Sequence, residues 1–246
     1  GGLGSFNTPG FDGGTGGDVM VTGGEAMGFA VDNRGGDLSL TGGAAAMATG
    51  GSIRLQSGRS SATNSGSITV DTADAGDAGI SGRVSINTGA ATSGNSGAIL
   101  MSTGFADGGV SILAGSSSTA FGRSGGDVSV SSGSSERSSS GNVQILTSDS
   151  GSSGVSGSIS LKTGIATEGV SGGVNILTGS NPHGQSGDIT LSAGESSESH
   201  GGNVRVYAGD VTNKDASGGS VTIEAGRGQN SLGGSGGSLT MQAGFS

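Results

Sequence analysis

Few residues in this chain are of a type that could do chemistry. The two histidines, His183 and His200, stand apart in loop-like stretches rich in Gly and Ser. General acid–base work needs a base held within hydrogen-bond reach of its partner, and neither spacing supplies one. Glu195 and Glu198 lie close together, in a loop with no framework to fix them, and read as solvated carboxylates. There is no cysteine, so thiolate chemistry, disulfides and Cys-based metal sites are excluded. Strings of the GxGxxG kind recur throughout so Gly-rich a chain. Without a strand–turn–helix context they say nothing about nucleotides.

Calcium is the one ion the pattern suggests. "GGD" at 16–18, 35–37 and 125–127 and "SGD" at 186–188 partly match a Gly-rich calcium nonapeptide repeat. The period differs, however, and other residues interrupt the column Asp18, Asp37, Asp127, Asp188. A bound Ca²⁺ wants several converging oxygens. No catalytic, metal-binding or cofactor-binding residue is expected, and the chain does not read as an enzyme.

The apolar residues carry the information instead. With the second residue of "SG" or "GG" as an anchor, anchors fall at 17, 36, 51, 66, 82, 97, 108, 126, 141, 157, 172, 187, 202, 219 and 237. Two positions later the residue is always aliphatic, as in Val19, Ile53, Ile99, Val174 and Leu239. Four positions later it is aliphatic or Met again, from Val21 to Met241. Six positions later it is small, and seven later it is Gly in 13 of 15 copies. A flexible Gly/Ser linker has no reason to keep such columns.

Alternation at period two with β-branched residues on one side is a strand signature. Short units that each bury little must stack on one another. The columns therefore predict an all-β parallel β-solenoid of fifteen one-strand repeats of about 15 residues, stacked about 4.8 Å apart. The Gly columns are expected at corners where positive φ is needed. Residues 1–16 read as a lead-in or end contact, and 17–246 as one continuous solenoid. A thin interior of Val, Ile, Thr and Ala suits a chain with 57 Gly and 3% aromatic residues.

Odd and even copies differ in their outward residues. Five positions after the anchor, copies seven, nine, eleven and thirteen carry Leu113, Leu146, Leu177 and Tyr207, whereas the even copies from six to fourteen carry Ser102, Ser131, Lys162, Ser192 and Glu224. This parity predicts two repeats per coil and two facing sheets. The Leu113–Leu146–Leu177–Tyr207 stripe is then an exposed contact surface. Phe6, Phe11 and Phe245 lie near the two ends, where a solenoid would leave unpaired strand edges. Together these seven residues are the candidate assembly contacts.

The remaining bounds are brief. The net charge of −9 argues against nucleic acid and anionic membranes. No apolar run approaches a membrane span. The opening "GGLGSFNTPG" has no initiator Met and no signal-type stretch, and reads as processed or cut from a longer chain. No N-x-S/T sequon occurs, while the many loop Ser and Thr leave O-glycosylation open.

The tandem "SG-x-[VI]-x-[IVL]-x-[TA]-G" phrase resembles the Gly/Ser-rich solenoid repeats of extracellular fibre and adhesin proteins, over nearly the whole chain. The resemblance implies a structural or adhesive role outside the cell or at its surface; the open ends and the apolar stripe add the expectation of a rigid segment that assembles end to end, with the stripe available for lateral contact. The alternative is a surface-binding module that uses the Ser/Thr-rich sheet to hold a glycan or ice. Asp37, Asp71, Lys162 and Glu224 break up the flat Thr array that ice would need.

Overall fold

Every bend and turn falls where the repeat columns put the ends of copies. The computed structural model describes residues 15–76, 79–117, 124–229 and 233–244. Within them the bends at 46–48, 61–63, 92–94, 136–138, 167–169, 182–184 and 197–199 all lie between the Gly that ends one copy and the anchor of the next. The segment from anchor to closing Gly contains no bend in any copy. It contains no strand either: the described residues hold no helix and no β-strand. The parallel β-solenoid, its two facing sheets and its two repeats per coil are therefore corrected, and the chain is mostly non-regular.

The backbone hydrogen bonds show why. Twelve join backbone groups among the described residues, and the longest, from Gly36 N–H to the Gly24 carbonyl, spans twelve residues. A folded chain of this length carries roughly 160 backbone–backbone bonds. A coil of two repeats would pair groups about thirty residues apart, and no bond reaches that far. Period-two alternation makes a segment extended and one-sided, but it does not choose the neighbouring segment. With fifteen near-identical copies, no residue selects one register over another.

No residue is buried among those described. The accessible surface is 24742 Å². A compact monomer of this mass exposes about 9,600 Å² and an unfolded one about 33,000 Å². The chain divides into two units, Gly1–Asp127 and Val128–Ser246.

What order there is sits at the loops. The half-buried described residues are Gly42, Ser57, Ser60, Thr163, Ala208 and Ala225. All but Ser60 stand six positions after an anchor. The small column thus lines no interior behind the aliphatic residues. It meets the anchor Gly of the following copy. A Cβ on Gly66 would lie 3.4 Å from Ser57 Cβ, one on Gly141 3.4 Å from Ser132 Cβ, and one on Gly202 3.0 Å from Ala193 Cβ.

This close approach also revises the role of Gly. The positive-φ glycines among the described residues are Gly169 and Gly233, both outside the two Gly columns. A Cβ on Gly42 would collide with the Gly51 carbonyl oxygen, and one on Gly51 would sit 2.9 Å from Gly43 N. Gly is needed there because two backbones touch, not because the chain turns a corner. The closing Gly residues themselves, such as Gly43, Gly133 and Gly164, have open space where a Cβ would be.

Candidate functional site

The junction between copies is the most repeated piece of geometry in the molecule. In seven junctions the anchor N–H donates to the carbonyl of the preceding closing Gly. The pairs are Gly36–Gly24, Gly51–Gly43, Gly66–Gly58, Gly126–Gly115, Gly141–Gly133, Gly219–Gly209 and Gly237–Gly226, at 2.8–2.9 Å. The bond goes with the residue just before the closing Gly, which is small and never Thr where the bond forms. It is Gly23, Gly42, Ser57, Ala114, Ser132, Ala208 or Ala225 in those seven.

Thr at that position gives a different junction. Thr72, Thr88, Thr103, Thr147, Thr163 and Thr178 each precede a junction without the anchor-to-closing-residue bond. Their side chains stand against the anchor Gly instead: Thr72 Cγ2 lies 3.3 Å and Thr147 Cγ2 3.2 Å from where a Cβ would be on Gly82 and Gly157. In three of them the hydroxyl takes over the closure. Thr72, Thr103 and Thr147 Oγ1 donate to the carbonyls of Gly82, Gly108 and Gly157, each at 3.3 Å. Loop length does not explain the split. The closing and anchor Gly are eight residues apart both in the bonded junctions 43–51, 58–66 and 133–141 and in the unbonded 89–97, 164–172 and 179–187. The junction after Ala193 is the exception, small but unbonded.

The loops are shaped by local side-chain caps. Ser60, Ser135 and Ser196 Oγ accept from the backbone N–H three residues on, at 2.9–3.1 Å. Asn181 Oδ1 accepts from His183 N–H at 3.0 Å, an Asx turn. All four stand two positions after a closing Gly. That offset was visible in the sequence and marks where each loop begins to bend. His183 is thereby held in a turn.

The aliphatic columns show graded exposure. Two positions after the anchor, fourteen of fifteen side chains are 51–59% exposed; Val19 is the exception. The candidate stripe is more open, at 82% for Leu113, 71% for Leu146, 82% for Leu177 and 80% for Tyr207. Phe6, Phe11 and Phe245 lie outside the described residues.

Little else gathers. An open depression of about 750 Å³ lies over the loop from Thr88 to Ser96. Among the described residues no group of three or more His, Cys, Asp or Glu could hold a metal. Among the described residues one ion pair forms, Arg227 to Glu224 at 2.6 Å, well exposed at both ends. No helix among the described residues is long and apolar enough to cross a membrane. No family model, curated protein or solved structure matches the chain.

Proposed function

We propose that this chain is a structural repeat segment of an extracellular fibre or filament, and that it works by associating with its own kind. The observation that carries this reading is the uncovered apolar repeat. Fifteen copies present aliphatic side chains at two fixed positions, yet no described residue is buried. Fully burying one such side chain gains about 1.5–3 kcal/mol. A chain that repeats this opportunity fifteen times and leaves it unused within itself is built for use between chains. The composition fits the same role, with scarce charge and no cysteine.

Sedimentation velocity of the pure chain across the micromolar range, with electron microscopy of the same samples, tests the proposal. Concentration-dependent growth into elongated assemblies is the expected result. A monodisperse monomer throughout overturns it. Specific glycan binding or inhibition of ice recrystallisation by that monomer would put the surface-binding module in its place.

A further inference from the structure

Granting that the chain self-associates, the structure also points to the surface involved. We infer that copies associate through the two aliphatic columns, at the second and fourth positions after each anchor. The occupant is a second copy of this chain presenting the same columns. The Leu113–Leu146–Leu177–Tyr207 stripe is not that surface.

The first observation is chemical purity. All thirty positions in these two columns are Val, Ile, Leu or Met, with no polar or charged residue in any copy. The positions between and beside them are not protected in this way. They carry Arg54, Asp71, Lys162, Arg205 and Glu224 among many Ser and Thr. Extended propensity alone would admit Thr or Tyr to the columns. Water exclusion on one face would not admit a charge, and none occurs.

The second observation is uniformity. From Leu38 to Leu239 the first column holds its exposure between 51% and 59%. The second column is more open, from 63% at Ile176 to 85% at Met241. The stripe residues occur in only four of the copies, whereas the columns run through all fifteen.

The third is area. A stable protein–protein interface buries about 1,200–2,000 Å² in total. The chain exposes 24742 Å², several such interfaces beyond the roughly 9,600 Å² of a compact monomer. A small ligand cannot cover a surface repeated fifteen times. A partner with the same period can, and a second copy has that period by construction.

Charge sets the conditions. With 19 acidic and 10 basic residues, two copies repel at low ionic strength. Salt screens that repulsion and leaves apolar contact intact. Association is expected to strengthen as sodium chloride is added.

Three full-length variants test the assignment, read by sedimentation against the wild type. One combines Ile53→Ser, Ile68→Ser, Ile159→Ser and Ile189→Ser. The second combines Leu113→Ser, Leu146→Ser, Leu177→Ser and Tyr207→Ser. The third replaces the same four column isoleucines by Val. The column Ser variant should associate on the order of a hundredfold more weakly. The stripe variant and the Val variant should stay within a few-fold of wild type. Because the same number of apolar side chains is lost from column and stripe, a general loss of hydrophobicity would weaken both alike. If the wild type assembles and both Ser variants assemble equally, or the stripe variant alone fails, the column assignment is overturned while self-association stands. A wild type that stays monomeric at every salt concentration overturns both.

Discussion

The junctions 132–141 and 163–172 have the same length but differ in the residue before the closing Gly, Ser132 against Thr163, and in their loops, SSERSSS against IATEGVS. In each, the closing Gly and the next anchor are eight residues apart, and a bend lies between them. After Ser132, Gly141 N–H reaches the Gly133 carbonyl at 2.9 Å. After Thr163 there is no such bond, and Thr163 Cγ2 lies 3.8 Å from where a Cβ would be on Gly172. The Ser hydroxymethyl lets two backbone segments touch, whereas the β-branched Thr keeps them apart. The small column thus acts as a set of spacers: backbone closure occurs only after Gly, Ser or Ala, and hydroxyl closure after three of the six Thr.

The comparison is broken most severely by removing the close approach itself. Gly42→Ala would drive a methyl group into the Gly51 carbonyl oxygen, a backbone atom that no rotamer change can move aside. Gly43→Ala, one residue later, meets nothing within 4 Å. Amide hydrogen exchange should show Gly51 N–H losing its protection in the first variant and keeping it in the second. Equal protection in both would mean that the contact at Gly42 does not hold the junction closed.

Exchanging the spacers is the next step. Ser132→Thr should open the Gly141–Gly133 bond, and Thr163→Ser should create its counterpart from Gly172 N–H to the Gly164 carbonyl. A net backbone bond is worth about 0.5–1.5 kcal/mol, so exchange at these amides should change up to about tenfold, in opposite directions. A change of the same sign in both variants would show that loop sequence, not the spacer, sets the closure.

The hydroxyl closure gives a smaller effect. Thr147→Val keeps the branched shape but removes the donor to the Gly157 carbonyl at 3.3 Å. This bond is long and exposed, so the loss should be at most about 0.5 kcal/mol, visible as a local carbonyl chemical-shift change at Gly157. Thr147→Ser, by contrast, should bring back a backbone bond in that junction. The smallest effect is expected in the loop caps. Ser135→Ala removes the acceptor for Ser138 N–H and should loosen only residues 136–138, with no change at Gly141. A lost Gly141–Gly133 bond in that variant would make the cap, not the spacer, the controlling element.

Some of this was legible in the residues alone. The bends lie between copies because Gly-, Ser- and Asn-rich stretches supply local turn chemistry, and a turn is decided within a few residues. The difference between the first aliphatic column and the residues beside it was legible for the same reason, since period two is a local property of an extended segment. The small column was visible as a column, but its purpose was not. That Ser57 meets Gly66, or Ala193 meets Gly202, is a contact across a loop that no spacing rule announces.

The tertiary structure alone decided what the extended segments do. The sheet expected from the alternation requires each segment to find one partner about thirty residues away, and fifteen similar copies offer no residue that singles one out. The bonds that form instead are local, seven of them between a closing Gly and the next anchor, because short closures cost little entropy. The aliphatic columns are then left uncovered within the chain. That outcome depends on which backbone groups pair, and pairing is a relation between distant segments that no single segment contains.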